Sequence, residues 1–397
     1  MTEHTRGWIL TVVQCFCFVV IALSAMSCSE EPTEENSPTA PLPLPGITIR
    51  DTTITAIGDS TFKQYIPMDG MTNLVGNAEG YTALSVIEFY PSYFVLRDTV
   101  NVVSAKLRLR LSYTLGDAAG PVSFDVYRVT RGWNPSTLRW DSVQTGFYDA
   151  STKRGGFSGT ISADTSYLTV DLDTTMVREW ISSTASASLK YGIILVPLPS
   201  SSVRGFMQFY SGDSLSFYPT LEVIATNTSG TTRDTSTYYN GIATFVGDVT
   251  LPGDPAILQT QAGVVYRSKL SFDISFIPRG TIINSALLSL DVVPTSMRLT
   301  SFTTDTAVAA HVALSTDGLS FESGASAIRP ATGTPNTFSG DVSHAVQAWV
   351  RGPNYGLVLR VPAPWETSRF DLYGFHGTRS STAASRPRLK IIYSLGN

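Results

Sequence analysis

Hydrophobic and polar residues alternate along two distant stretches of the chain, residues 103–113 (VSAKLRLRLSY) and 283–293 (INSALLSLDVV). The apolar residues occupy every second position; they are Ala105, Leu107, Leu109 and Leu111 in the first stretch, and Ala286, Leu288, Leu290 and Val292 in the second. Successive side chains of a β-strand point to opposite faces of a sheet. This period of two therefore predicts two strands that each bury one face.

The segments around these two strands repeat in the same order. An apolar segment precedes each strand (85–90 and 268–273), and another follows it (122–129 and 306–314). Farther along, each copy has Tyr-Gly before an apolar strand, and each closes with Pro, one residue and Leu. Such recurrence indicates two copies of one structural unit.

One helical pattern interrupts the strands in each copy. Apolar residues at positions i, i+1 and i+4 predict one or two helical turns with one face inward. These residues are Met176, Val177 and Trp180 in the first copy, and Ala345, Val346 and Trp349 in the second. Thr174 and Ser343 lie at the same distance before their tryptophans, where a hydroxyl is expected to cap the helix.

The two copies are predicted to span residues 47–226 and 234–395, with a linker at 227–233. The small polar residues of the linker are typical of a short flexible connection. The chain is also rich in Tyr, Phe and Thr and poor in Glu, Lys and Gln, a balance that favours strands over helices. The sequence thus predicts an all-β fold of two tandem antiparallel β-sandwiches, each with one short helix.

The first 27 residues are predicted to be a signal peptide. Residues 8–23 form an almost unbroken apolar run, which is short for a bilayer span and lies where a signal peptide has its apolar region. The following LSAMSC resembles a bacterial lipobox, which implies lipidation of Cys28 as the first residue of the mature chain. Ordinary secretion and a retained membrane anchor are the alternatives. Cys15 and Cys17 would leave with the signal peptide, so no disulfide is expected in the folded part.

Residues 28–46 are predicted to be a tether between the lipidated cysteine and the folded part. The segment after Cys28 contains four Glu, five Pro and no basic residue, so it cannot bury much apolar area. Acidic residues directly after a lipidated cysteine also resemble the export signal of some bacterial surface lipoproteins. The predicted location is the cell envelope, as an outer-membrane lipoprotein exposed at the surface, or otherwise outside the cell. The lipid is expected to be the only contact with the membrane.

The charge of the chain argues against nucleic acid as a partner. Charged residues make up 15% of the sequence, the net charge is −4, and the basic residues form no run. Binding to phosphates requires clustered Lys and Arg. The sequence also has no glycine-rich phosphate loop, no His-Glu-x-x-His and no paired cysteines.

The second copy resembles the DNRLRE domain family. Residues 267–292 contain a strand that ends Phe-Asp, then Ile-Pro-x-Gly, an apolar pair and Ser-Ala-x-Leu, in the family's order. Residues 341–356, from Asp-Val through Trp to Asn-Tyr-Gly, carry the other half of the resemblance. In the first copy, residues 126–140 (VYRVTRGWNPSTLRW) look like the family's segment with two tryptophans. The resemblance implies jelly-roll-like β-sandwiches, usually non-catalytic, some of which bind acidic polysaccharides.

The stretch 341–344 contains Asp341, Ser343 and His344, the residue types of a hydrolase triad. On a helix these side chains would point in different directions, because only residues three or four apart share a face. The first copy has Thr174 and Thr175 at the positions of Ser343 and His344. We therefore predict that this stretch belongs to the scaffold and that the protein is not an enzyme.

No metal site and no cofactor are predicted. The three histidines after residue 28 have no spacing typical of zinc ligands. Aspartates in loops, as in residues 57–70, could hold a structural calcium ion, but turn formation explains Asp and Gly there more simply.

The candidate ligand-binding residues are three tryptophans and three arginines. Trp180 and Trp349 recur at one position of both copies and are expected to fill the cores. The tryptophans that do not recur can stack on sugar rings, and the arginines around two of them suit a glycan that carries carboxylates. These candidates are Trp133, Trp140, Trp365, Arg128, Arg131 and Arg139.

Three functions are open to such a chain. The first is a non-catalytic surface lipoprotein that binds polysaccharide. The family resemblance and the tryptophans that do not recur in both copies favour this function. The second is a structural or adhesive lipoprotein whose sandwiches contact other proteins or components of the cell envelope. The third is a polysaccharide lyase or hydrolase that uses Tyr, Arg or a pair of carboxylates.

Overall fold

The computed structural model describes most of the chain after the predicted tether. The described residues are 47–68, 72–89, 98–117, 119–143, 146–161, 167–199, 201–207, 218–251, 253–300, 306–363 and 365–396. The predicted signal peptide (1–27) and the predicted tether (28–46), with the predicted lipidation site Cys28, lie outside them. None of the helices in the described ranges is both long and apolar enough to cross a membrane.

Twenty-two strands are found among the described residues. In chain order they are β1 (Ile47–Thr55), β2 (Gly58–Lys63), β3 (Thr72–Ala78), β4 (Tyr81–Glu88), β5 (Val100–Leu115), β6 (Pro121–Arg128), β7 (Gly155–Thr160), β8 (Tyr167–Asp171), β9 (Ile193–Pro197), β10 (Val203–Met207), β11 (Thr220–Asn227), β12 (Arg233–Tyr239), β13 (Ile242–Val249), β14 (Ile257–Gln261), β15 (Tyr266–Ser271), β16 (Ile282–Asp291), β17 (Val308–Val312), β18 (Ser326–Ala331), β19 (Thr334–Asp341), β20 (Leu357–Arg360), β21 (Leu372–His376) and β22 (Arg388–Gly396). Two short α-helices accompany them, α1 (Thr174–Ile181) and α2 (Ser343–Arg351).

The strands form two curled antiparallel sheets of eleven strands each. One has the order β12-β11-β5-β10-β3-β4-β9-β6-β7, with β13 added to β4 and β8 to β5. The other has the order β1-β22-β16-β19-β18-β17-β20-β15-β14-β21, with β2 added to β15. The predicted fold class, two antiparallel jelly-roll-like β-sandwiches with one short helix each, is confirmed.

The long strand β5 shows how one sheet supplies two layers. Its first part pairs with β11 and β8, and its last part, from Leu111 to Leu115, pairs with β10. The predicted alternation places Ala105, Leu107 and Leu109 in the buried core between the layers. That core also contains the apolar face of α1.

The two helices occupy equivalent positions and bury the same face. Each buries residues at i, i+1, i+4 and i+5; they are Met176, Val177, Trp180 and Ile181 in α1, and Ala345, Val346, Trp349 and Val350 in α2. Trp180 and Trp349 are 2% and 3% exposed, as the repeat predicts for core residues. Each also lies near the phenylalanine that directly follows the equivalent strand, Phe89 after β4 or Phe272 after β15.

The predicted helix caps are wrong by one or two residues. Thr174 and Ser343 are the first helical residues, and aspartates before them accept the free backbone N–H groups. Asp173 accepts from the N–H of Thr175, and Asp341 accepts from the N–H of Ser343, at 2.8 and 2.7 Å. A carboxylate also interacts favourably with the positive end of a helix, so aspartate replaces the hydroxyl in this role.

The boundary between the two sheets differs from the predicted boundary between the copies. Strands β1 and β2 lie in the predicted first copy, but β1 pairs with β22 and β2 pairs along its whole length with β15. Strand β13 pairs along its whole length with β4, although it follows the linker at 227–233. The first sheet is therefore built from residues 72–249, and this segment is inserted between β2 and β14 of the second sheet.

The insertion brings the two copies together over a buried apolar cluster. The cluster contains residues of both sheets, among them Tyr81, Tyr113, Phe245, Val264 and Phe370. The ring centroids of Tyr81 and Phe370 lie 4.7 Å apart, and the hydroxyl of Tyr113 accepts the N–H of Phe370. Residues Ile49–Ser394 accordingly form one compact unit.

Candidate functional site

Two of the candidate tryptophans lie in the connection between β6 and β7, residues 129–154, which we call the tryptophan loop. Trp133 and Trp140 are half-buried and pack against an apolar cluster that includes Leu84, Val86 and Ile194. The indole N–H of Trp133 donates to the carbonyl oxygen of Tyr191 at 3.0 Å. The loop therefore covers an apolar face of the first sheet, and each ring keeps part of its surface in solvent.

The three candidate arginines have different environments. Arg128 is 8% exposed and forms an ion pair with Glu179 of α1, so its charge is already neutralised. Arg131 donates to the carbonyl oxygen of Ser142 at 2.7 Å, and Arg139 lies 3.3 Å from Asp141. Arg131 and Arg139 are both exposed. The structure thus places Arg131 and Arg139 at the surface of the tryptophan loop and Arg128 beneath it.

Trp365 lies in the second copy, in a single helical turn (Trp365–Thr367) after β20. Its ring is half-buried, and the guanidinium of Arg369 lies 3.8 Å from the ring centroid. One part of the aromatic surface is therefore covered by a cation–π contact. The turn also positions the next residue, Glu366, beneath the surface.

Glu366 holds two arginines of neighbouring strands and is 0% exposed. Arg267 of β15 donates to both of its carboxylate oxygens, each at 3.0 Å, and Arg360 of β20 donates to Oε2. Two parallel N–H···O bonds are the preferred geometry between arginine and carboxylate. The strand register places Arg267 and Arg360 next to each other, since Ser268 pairs with Leu359.

Two aromatic groups complete this part of the sheet. The guanidinium groups of Arg267 and Arg360 both lie over the ring of Phe321. Their central carbons are 5.1 Å and 5.6 Å from the ring centroid. The ring centroids of His311 and Phe321 lie 5.0 Å apart, and Nδ1 of His311 lies 2.8 Å from the carbonyl oxygen of Glu322. Burial lowers the pKa of His311, because the imidazolium loses its hydration, and the nearby charge of Arg360 acts in the same direction.

We call this set of residues the arginine cluster; it consists of Arg267, Phe321, Arg360, Trp365, Glu366 and Arg369. Three guanidinium groups and one carboxylate give the cluster an excess of positive charge. Nε of Arg360 and one terminal nitrogen of Arg369 are buried and have no hydrogen-bond partner. Buried donors are normally paired, so these two N–H groups have unused hydrogen-bonding capacity. Arg360 reaches the surface, with 18% of its side chain exposed.

The first copy has apolar residues where the second has the arginine cluster. By register, Leu84 and Val196 occupy the positions of Arg267 and Arg360, because Ser85 pairs with Leu195 as Ser268 pairs with Leu359. The tryptophan loop covers these apolar residues. The two sheets therefore present different chemistry at the same place.

Of the candidates named from sequence, only Trp365 belongs to the arginine cluster. Sequence reasoning missed Arg267, Arg360 and Glu366. The signal was available in the repeat: a charged residue of one copy that aligns with an apolar residue of the other marks a change of function or of packing.

The residues of the suspected triad do not form one. Oγ of Ser343 accepts the N–H of Ala286 at 2.8 Å, and His344 pairs with Glu322 at 3.1 Å. The His344 side chain is 78% exposed. A catalytic serine needs a hydrogen bond to its base, and Ser343 is instead a link between α2 and β16.

Among the described residues, no group of three His, Cys, Asp or Glu side chains is arranged to hold a metal ion. Asp59, one of the loop aspartates named above, accepts the N–H of Thr378.

No protein-family model matches the chain, and no curated protein matches it significantly. The resemblance to DNRLRE domains therefore stays a prediction from sequence.

Proposed function

We propose that this chain is a non-catalytic lipoprotein of the cell envelope that binds an acidic polysaccharide through the arginine cluster. The observation that carries the proposal is the excess of positive charge in the arginine cluster, in which Arg360 and Trp365 are partly exposed. Guanidinium groups bind carboxylates, and aromatic rings stack on sugar rings. A uronic acid unit offers both partners at once.

The difference between the copies supports this assignment. A structural role alone is served by apolar residues at these positions, as Leu84 and Val196 show in the first copy. Burying an ion pair is seldom more stabilising than an apolar core of the same volume. The charges of the second copy therefore indicate a role in recognition.

Loss of the cluster's exposed groups is expected to weaken retention of acidic glycans. Arg360→Gln removes a charge-assisted contact of about 1.5–3 kcal/mol, which corresponds to a roughly ten- to hundredfold lower affinity. Trp365→Ala removes the stacking surface. Affinity electrophoresis of the full chain in gels with polyuronate or with a neutral glucan measures both effects.

The matched control is Arg351→Gln, which removes one exposed charge at the end of α2 and leaves the cluster intact. Thermal melting of each variant verifies folding. Equal retention of Arg360→Gln and the unaltered chain on polyuronate would contradict the proposal. Trp140→Ala and Arg139→Gln show in the same gels whether the tryptophan loop contributes.

A structural or adhesive lipoprotein is the second candidate. The tryptophan loop supports it, because Trp133 and Trp140 cover an apolar face and leave part of their rings exposed for protein contacts. In this case no polysaccharide retains the chain, and substitutions in the arginine cluster alter thermal stability alone.

The anchor can be tested separately. Cys28→Ala is expected to abolish labelling with radioactive palmitate, because no cysteine follows residue 28 and the two that precede it lie in the predicted signal peptide. The protein should then appear as precursor or as released chain. Labelling that persists in Cys28→Ala would show that the lipobox interpretation is wrong.

A further inference from the structure

A cleft lies where the chain crosses between the two sheets. Its walls come from β2, from residues 251 and 253–255, from the first half of β14, from the start of β15 and from the turn after β21. Its volume is about 250 Å³, which is at the small end of ligand sites and suits one sugar ring rather than a long chain. We call it the crossing cleft and define it by Asp59, Thr61, Asp254, Gln259, Tyr266 and Arg379.

Gln259 is the buried polar group of this cleft. It is 6% exposed, its backbone N–H donates to Oγ1 of Thr61, and its carbonyl oxygen accepts from Ser268. These bonds fix the backbone, and the side-chain amide has no partner among the described residues. Because Gln259 lines the cleft, its amide donors and acceptor can bind a ligand there.

The charged side chains of the cleft also keep part of their hydrogen-bonding capacity. Oδ2 of Asp59 accepts the N–H of Thr378, and Oδ1 of Asp254 accepts the N–H of Ala256. Each carboxylate keeps its second oxygen as an acceptor. Arg379 is exposed and forms no hydrogen bond or ion pair with the described residues.

The ring of Tyr266 provides an apolar surface in a fixed position. Its hydroxyl donates to the carbonyl oxygen of Val249 at 3.0 Å, which ties the ring to the segment that leaves β13. Donors and acceptors beside an aromatic surface are the arrangement that binds a ring with several hydroxyl groups, since each hydroxyl both donates and accepts.

We propose that the crossing cleft binds a single pyranose unit that carries no negative charge, with Gln259, Asp254 and Arg379 as its hydrogen-bonding residues. Two carboxylates and one guanidinium leave one negative charge in excess, so an anionic sugar is disfavoured and an amino sugar is favoured. The inference rests on the proposed function, since it assigns a second glycan contact. It differs in place and in charge preference from the arginine cluster.

Saturation-transfer difference NMR on the full chain tests the proposal with three probes: methyl glucoside, glucosamine and glucuronate. Single sugar units bind weakly, so we expect a dissociation constant of about 1 mM. Glucosamine should bind the cleft most tightly, whereas glucuronate, which the arginine cluster is expected to bind, should not displace methyl glucoside from the cleft. Gln259→Ala and Arg379→Ala should each lower the affinity for methyl glucoside about tenfold. Asp254→Asn should remove the preference for glucosamine.

The exposed position of Arg379 keeps the test valid if Gln259→Ala fails to fold. No saturable signal from methyl glucoside or glucosamine, or equal signals in the folded Arg379→Ala chain, would overturn the inference. Arg360→Gln is the control, because it should lower retention on polyuronate and leave the cleft signals unchanged. If the unaltered chain is retained on polyuronate but gives no saturable signal with methyl glucoside or glucosamine, the inference about the crossing cleft is wrong. If Arg360→Gln is retained on polyuronate as well as the unaltered chain is, the proposed function is wrong.

Discussion

A fragment of residues 64–253 is expected to fold and to melt cooperatively on its own, whereas a fragment of residues 47–226 is expected to aggregate. The first contains every strand of its sheet, including β12 and β13. The second lacks both and carries β1 and β2, whose partners belong to the other sheet. Its strand β4 loses the partner that pairs with it from Tyr81 to Glu88.

The physical reason is the exposure of strand edges. Each uncovered edge leaves a row of unpaired N–H and C=O groups that recruits other chains. A backbone hydrogen bond contributes about 0.5–1.5 kcal/mol, so losing a whole strand pairing removes a large part of a domain's net stability of about 5–15 kcal/mol. The fragment 234–395 has the same defect, because it lacks β2 along the whole of β15.

The matching partner fragment joins residues 47–63 to 254–397 through a Gly/Ser linker. Its ends can be joined because Asp59 and Thr61 of β2 line the same cleft as Asp254. Every fragment loses one side of the buried cluster between the sheets, which includes Tyr81 and Phe370. This loss therefore affects the pair divided at the sheet boundary and the pair divided at the linker alike. Circular dichroism melting measures whether each of the four fragments unfolds cooperatively, and size-exclusion chromatography measures whether it aggregates. Cooperative melting of 47–226 and 234–395 would contradict the expectation.

The repeat allowed the strands and their buried faces to be predicted, but not all of their neighbours. Alternation in residues 103–113 identifies a strand and its inner face, because burial is a property of the strand itself. The partner of β2 depends on which edge is free after folding, and residues 58–63 contain no information on that edge. The position of β1 and β2 in the second sheet, and of β12 and β13 in the first, therefore could not be predicted from periodicity.

The candidate site was predicted less well than the fold. Trp365 was named because it does not recur, and it belongs to the arginine cluster. Glu366 was missed because a single acidic residue after a tryptophan has no spacing signal, and its partner Arg267 is distant in sequence. Only the strand register brings Arg267 and Arg360 together. Arg128 was named for its position beside Trp133, but its partner is Glu179.

Replacing either core tryptophan with alanine is expected to destabilise the protein by about 3–5 kcal/mol. Trp180 and Trp349 are almost fully buried, and each fills the space between its helix and the sheet. The surrounding side chains relax only partly around the cavity that is left. Trp133→Ala and Trp140→Ala should lower the free energy of unfolding by less, because these side chains are only half-buried. Equal losses for all four substitutions, measured by chemical denaturation, would contradict this division into core and surface tryptophans.

The two core tryptophans should nevertheless differ when each is replaced with phenylalanine. The indole N–H of Trp180 donates to the carbonyl oxygen of Leu189 at 3.0 Å, whereas the indole nitrogen of Trp349 is buried without a partner. Trp180→Phe breaks a hydrogen bond, and Trp349→Phe removes an unsatisfied donor whose burial costs about 1–3 kcal/mol. Since both lose the same volume, Trp180→Phe should be the more destabilising by about 1–2 kcal/mol. Chemical denaturation of the two variants in parallel gives this difference, and a larger loss for Trp349→Phe would show that its N–H has a partner in solution.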